Sequence, residues 1–380
     1  MMVILLCSMF VSGYHALTIT KILMPITEGG MSDLYKNRSN IDYIRNESAH
    51  VLDLSFREYF SELYTEEKNK NINFEYIFGR IARDEILFYA MKHDSKKEQY
   101  DQIWLTASSK FNASYKLNSD DYKYIISKLT SENRVRLFFN KSLFIDSDSS
   151  NAEGSGILGA LVGSVFSVIV CLVFAVPLGV LCGVCLHEFM PKNIFTRAIE
   201  ISINNLSAVP SIIFGILGLI LYIGLMGLPR SSSLVGGLTL SLMMVPNVVI
   251  ATKNAFALVP QTIKDAAFAL GASHAEVVVH HSLPIAVPSI VQGILLSLAR
   301  ILGESSPLLM IGMVAFIADV PKSFADPATV LPVQIYMWSS NPDAEFTELA
   351  AAAIVALLLI TLCINFVVNL IRRKYDKFVF

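Results

Sequence analysis

The chain has 380 residues, of which 53% are hydrophobic and 16% charged, and its mean hydropathy of +0.53 places it among membrane proteins rather than soluble enzymes. A formal net charge of −2, with no basic block beyond the short tail Arg372, Arg373 and Lys374, argues against a nucleic-acid partner. All five cysteines lie in apolar runs, which argues against a disulfide framework and a zinc site. Charge is unevenly spread: 38 of the 62 Asp, Glu, Lys and Arg side chains fall between Glu28 and Ser150. One third of the chain is therefore water-loving and the rest mostly lipid-facing.

In chain order, residues 2 to 20, "MVILLCSMFVSGYHALTIT", are uncharged and read as an uncleaved first membrane helix within a segment 1–27. A cleaved signal peptide is the alternative, but neither a positive n-region nor a small-x-small site precedes the polar region. Residues 28–150 are long enough for a modest core of their own. Within them "VLDLSFREYFSELYTEE" (51–67) and "FGRIARDEILFYAMKH" (78–93) carry helical periodicity, whereas "DQIWLTAS" and "KFNASYKLN" alternate as strands. An inserted α/β domain is expected there, with interspersed charges that read as a solvated surface and no catalytic constellation. "DSDSSNAEGSG" (146–156) reads as a linker.

Residues 151–380 hold five more apolar runs at 155–186, 206–227, 233–252, 285–317 and 349–371, each near the length of about 20 residues that a bilayer asks for. With the first helix they make six spans. Basic residues in short loops set the orientation. Lys192, Arg197, Lys253, Lys264, Arg372, Arg373, Lys374 and Lys377 fall on one side, and only Arg230 and Lys322 on the other. Both chain ends are therefore expected in the cytoplasm, and 28–150 outside the inner membrane.

The loop 253–283 contains "VPQTIKDAAFALGASHAEVVVHHSLP". Pro260 suits a first helical turn, Gly271 a left-handed stop, and Ser273 with Glu276 a capping box, so two short helices with a tight corner are expected. Ala266, Ala267 and Ala269 would keep one flank shallow enough for another protein's backbone to approach. An ordinary interhelical connection is the plain alternative.

Asp265-Ala266-Ala267-x3-Gly271 followed by nine residues and then His281-Ser282-Leu283-Pro284 resembles the E-A-A-x3-G-x9-I-x-L-P signature of ABC importer permeases. Asp265 for Glu and His281 for Ile are its two departures. "RAIEISINNLSAVPSIIFGILGL" (197–219), "LPIAVPSIVQGILLSLARILGESSPLL" (283–309), "LPVQIYMWSSNPDAEFTELA" (331–350) and "GILGALVGSVFSVIV" (156–170) resemble the PstA permeases of bacterial phosphate ABC importers. The 28–150 region resembles an extra domain found in a subset of them. The resemblance implies an all-α polytopic membrane protein of the type I importer permease fold, carrying no enzymatic site and no cofactor. It implies a PstC-like second permease, a PstB-like ATPase dimer holding ATP and Mg, and a PstS-like binding protein delivering inorganic phosphate. The coupling loop to the ATPase would comprise Asp265, Ala266, Ala267, Gly271, Ser273, Glu276, Leu283 and Pro284. A permease for sulfate or molybdate, and a membrane sensor using the outer domain, are the rival readings.

"LARILGESSPLL" (298–309) places two opposite charges in an apolar run. Counted from Pro284 at ~1.5 Å per residue, Arg300 lies ~24 Å along its helix, where a lone charge is costly and normally faces a bundle interior or a water path. Spacing of four residues predicts that Arg300 and Glu304 meet on one face. Two roles follow from that pairing: a structural ion pair, or a guanidinium that meets the passing oxyanion beside Ser305 and Ser306 while Glu304 holds it between events. Gly303 and Pro307 are expected to weaken the helix just past the pair.

Overall fold

The computed structural model describes residues 2–25, 41–59, 77–92, 102–117, 122–314 and 316–376, and these form two compact units. The polar unit comprises Met1–Gly156 together with Trp338–Ala352, and the apolar unit Ile157–Met337 with Ala353–Phe380.

In the polar unit, helix α1 (Met2–Ala16) ends before β1 (Thr18–Pro25), the middle strand of an antiparallel sheet flanked by β2 (Gln102–Thr106) and β3 (Val135–Phe139). The expected helix over 2–20 therefore stops four residues early. Thr18, Ile19, Thr20 and Ile22 are β-branched and suit a pleated, half-buried surface better than a helix. Ile22 pairs with Leu105 on one side and Val135 on the other. Lys21 is held by Glu85 at 2.5 Å, and the same carboxylate accepts the Thr106 N–H and hydroxyl.

Among the described residues four helices accompany the sheet: α2 (Ile41–Tyr59), α3 (Arg80–Lys92), α4 (Ser109–Leu117) and α5 (Lys123–Ser131), followed by the short α6 (Ser142–Ile145). Ile22, Met24, Leu52, Phe56, Ile86, Leu105, Phe111 and Leu129 form their shared core. The expected helix over 51–67 is found as far as Tyr59, and 60–67 lie outside the described residues. The stretch "KFNASYKLN" is helical, not a strand, as far as Leu117, and Asn118 lies outside the described residues. Alternation put Phe111, Ala113 and Tyr115 on one face, but the residues buried are Phe111, Asn112 and Ser114, so long-range polar contacts override the period-two pattern.

Asn112 shows how. Its side-chain oxygen accepts from the Thr20 N–H and hydroxyl, while its amide donates to Glu345 at 3.1 Å. Lys116, one turn on, donates to the His15 carbonyl at 2.7 Å and faces Glu348 at 3.6 Å. The segment read as a linker is also folded: the Ser155 hydroxyl bonds the carbonyls of Ser149 and Asn151, and Trp338 Nε1 donates to Asp148 at 2.9 Å.

Four helices of the described residues are long and apolar enough to cross a membrane: α7 (Leu158–Phe189), α10 (Ser233–Ala257), α12 (His274–Ile301) and Glu345–Leu370 within α15 (Ala344–Asp376). A fifth is possible by length if α8 (Ile194–Ser207) and α9 (Ser211–Leu225), bent by 98° at the Pro210 break, count as one. With 15 residues, α1 is too short for a single straight crossing of a core about 30 Å thick. Between these lie α11 (Gln261–Ala269), α13 (Ser306–Met310) and α14 (Leu331–Ser339). The expected run 285–317 is not one continuous helix: α12 stops at Ile301, and turns at 302–303 and 311–314 bracket α13.

α10 is the centre of the apolar unit, with Val235, Leu240, Met244 and Val248 in the core and three of its polar groups turned back on its own carbonyls. Thr239 bonds Val235, Ser241 bonds Leu238, and the Asn247 amide bonds Met243. Glycines bring α7 against it. A Cβ on Gly179 would lie 2.6 Å from Val248, and one on Gly183 2.6 Å from Thr252. The outward faces of α7 and α15 expose Val173, Leu178, Leu181, Leu362 and Phe366, as lipid or a partner helix requires.

Two consequences can be measured. Gly183→Leu should lower stability by about 1–3 kcal/mol through overpacking, read as an earlier thermal unfolding in detergent; an unchanged transition would contradict the close approach. Burial holds the Lys116 ammonium below its ordinary pKa of 10.5, against the attraction of Glu348 and Glu345. The unfolded chain then binds the proton over the window up to 10.5, so this contribution is complete above 10.5 and is lost as pH falls through the folded value. Stability of the polar unit should rise with pH across that window, and Lys116→Met should flatten the rise in pH-dependent unfolding.

Candidate functional site

The loop between α10 and α12 is the first candidate. Pro260 caps α11, Gly271 adopts φ +87°, and its N–H bonds the Phe268 carbonyl at 2.9 Å while Ala272 N–H bonds Ala267. Ser273 and Glu276 form the reciprocal capping box. The helix so capped is not a second short one. It continues through a π-helical turn (Val277–Ser282) into Leu283 and Pro284 and on to Ile301, so the loop holds one short helix and the beginning of a long one. Leu283 is half-buried and Pro284 exposed.

Along α11, Asp265 and Ala266 are exposed, and Asp265 accepts from Gln261 at 3.1 Å. Ala267 faces inward at 5% exposure, so the shallow outer flank consists of Ala266 and Ala269 without it. The side chains standing out beside them are Leu270, 90% exposed, and Phe268.

What holds this helix was not anticipated. The Lys264 ammonium lies 2.5 Å from the Glu188 carboxylate, both side chains under a tenth exposed. His187 Nδ1 meets the same carboxylate at 3.0 Å, and His274 Nε2 donates to the Glu188 carbonyl at 2.8 Å. Edge-on Phe189 and stacked Phe268 flank the His274 ring. Glu188 falls in a second π-helical turn, Cys185–Phe189, at the end of α7. One signal pointed to it: after Glu153 the next acidic residue is Glu188, at the close of an uncharged apolar run. A second ion pair, Lys253 with Glu200 at 2.7 Å, ties α8 to the end of α10.

The second candidate lies at the other end of α12. Arg300 is exposed in its last turn, Glu304 and Ser305 stand in the break, and Ser306 opens α13. The expected ion pair does not form. Because the helix ends at Ile301, Glu304 is no longer one turn beyond Arg300 on a common face, and neither side chain makes an ion pair or hydrogen bond with another described residue. The break also comes before Glu304 rather than past it: Gly303 N–H bonds the Arg300 carbonyl and Glu304 N–H the Ile301 carbonyl. Sixteen residues of helix separate Pro284 from Arg300, about 24 Å, so the two sets form two sites. The described residues hold no His, Cys, Asp or Glu cluster that could bind a metal.

Residues 175–377 match the family described as binding-protein-dependent transport system inner membrane component. The chain belongs to that family, a family of multi-pass membrane proteins. Within it the chain is homologous to the PstA-like ABC-transporter permeases, which are not the ATP-hydrolysing component of their transporters. It is 33% identical to the phosphate transport system permease protein PstA of Haemophilus influenzae over 59% of this chain and 78% of that one. It is 30% identical to the probable ABC transporter permease protein YqgI of Bacillus subtilis over 67% of this chain and 89% of that one. An inward-facing MetNI methionine ABC transporter shares 20% identity over 58% of this chain and 94% of that one, with a TM-score of 0.44.

The corner at Gly271 depends on a left-handed conformation that a β-branched residue resists. Gly271→Val should raise backbone hydrogen exchange across 261–273 and leave α10 protected; equal protection in both proteins would show that the corner is not strained.

Proposed function

We propose that this chain is the PstA-type permease subunit of an ATP-driven phosphate importer, carrying an extra extracytoplasmic domain between its first helix and the rest. On this reading it crosses the bacterial inner membrane with both ends in the cytoplasm, 1–27 as the first membrane segment although its helix stops at Ala16, 28–150 outside and 151–380 as the permease domain. It forms the path with a PstC-like permease, receives phosphate from a PstS-like binding protein and is driven by a PstB-like ATPase dimer. The observation that carries it is the 33% identity to a PstA over 59% of the chain. The shape of the 253–283 loop supports it: α11 is held from behind, and presents Asp265, Ala266 and Leu270 outward where an ATPase surface can bear on them.

Arg300 is the substrate-path residue in this proposal. A guanidinium at the end of a span, with no carboxylate of the described residues on it, calls for a counter-ion or water. Phosphate passing between two permeases supplies one, with bidentate geometry. Ser305 and Ser306 add hydroxyl donors, and Glu304 limits how tightly the anion is held.

Arg300→Ala should abolish ATP-dependent uptake of radiolabelled phosphate in vesicles while the protein still assembles in the membrane, with Arg300→Lys retaining part of the rate. Wild-type uptake by the alanine variant would remove Arg300 from the path. Uptake that sulfate or molybdate inhibits as well as unlabelled phosphate does would favour the broader oxyanion permease.

A further inference from the structure

Of the residues along α11 only Lys264 and Ala267 are buried, so the inward face of this nine-residue helix is one cation and one methyl group. Such a helix has little apolar area with which to hold its own position. Its placement against α7 therefore falls to the Lys264–Glu188 pair, at 2.5 Å, and to the His274 ring that Phe189 and Phe268 flank and the Glu188 carbonyl binds. A single residue of α7 thus takes contacts from α11 and from the first turn of α12.

A well-packed apolar pair of similar volume would be as stabilising as a buried ion pair, and commonly more so. The distinct property of the ion pair is directional: two charges at fixed length, in a site that excludes water, resist both separation and sliding. We infer that Glu188 and Lys264 are positioning residues for energy coupling, the tie that converts a displacement of α11 into a displacement of α7. This rests on the reading that an ATPase bears on α11. His187, on the same carboxylate at 3.0 Å, and His274 hold the acceptor in place. None of these residues touches substrate.

The test uses the assembled importer, this chain with its second permease, ATPase and binding protein, in proteoliposomes, and reads phosphate moved per ATP hydrolysed. Glu188→Gln and Lys264→Met should retain hydrolysis but lower that ratio roughly tenfold, the range of ordinary coupling energies. The charge exchange, Glu188→Lys with Lys264→Glu, should recover part of it. A purely structural pair would give a different result: uptake and hydrolysis would fall together with the ratio unchanged, and that outcome overturns the inference, as does a wild-type ratio in either single variant. Should the single variants not assemble, Lys264→Arg keeps the charge and alters its reach. A lowered ratio there supports the tie and a wild-type ratio overturns it. Absence of ATP-dependent phosphate uptake by the unaltered complex is a separate outcome, which defeats the phosphate-importer reading before any variant is compared.

Discussion

The apolar unit depends on how closely α7 can approach α10. Between two helices in hydrocarbon there is no hydrophobic gain to be had, since lipid tails are as apolar as leucine; contact must come from dispersion and close fit. Gly179 and Gly183 allow Val248 and Thr252 to sit against the α7 backbone, and Gly237 on α10 returns the arrangement by receiving Val170. With that seam closed, the hydroxyls of Thr239 and Ser241 turn to carbonyls of α10 itself, and that of Ser233 to the Gly163 carbonyl of α7. The ends of both helices are then fixed, and with them Glu188, the residue on which the neighbouring loop is hung.

Many polar groups in this setting are satisfied locally, although the buried hydroxyls of Ser167, Thr252 and Ser282 have no hydrogen-bond partner among the described residues. Thr239, Ser241 and Asn247 are satisfied within α10, and Glu188 by Lys264 and His187. Arg300 is a permanent cation in the last turn of a long apolar helix, with no partner among the described residues. The chain break that follows keeps Glu304 from neutralising it. Had the helix run on, the pair would have closed and the guanidinium would have been occupied.

Much of this was legible in the sequence because it rests on local chemistry. Pro260, Gly271, Ser273 and Glu276 define the loop by caps and a left-handed stop that need no tertiary information, and the long apolar runs give α7, α10, α12 and α15. The misreadings in the polar unit share one cause, long-range contact, whereas those on α11 and α12 are local. Residues 18–20 look like the end of a membrane helix until β2 and β3 are there to pair with them. Residues 109–117 look like a strand until Asn112 finds Thr20 and Glu345. Arg300 and Glu304 looked paired because a helix was assumed to continue through Gly303, and Ala267 looked outward because nothing in sequence told one alanine from another. Lys264 and Glu188 stand 76 residues apart, and no local pattern connects them.

The two candidate sites lie at opposite ends of one element. α12 begins at the capping box beside Glu188 and ends one residue past Arg300, so 28 continuous residues, about 42 Å at full helical rise, join the loop to the exposed cation. Only 22% of its most apolar window is buried within this chain, against 61% for α10. The buried part of α12 is nonetheless packed on α10 from end to end: Ala286 and Ile290 share a core with Ala255 and Phe256, a Cβ on Gly293 would lie 2.4 Å from Ala251, and Leu298 and Ile301 join the core around α10. The first turn of α12 is fixed through His274 and Glu188, the same carboxylate-bearing residue that fixes α11. On the proposed reading, a push on α11 reaches α7 through the Lys264–Glu188 pair and reaches Arg300 through the His274 hydrogen bond and the length of α12, and α10, packed on α12, shares in that movement.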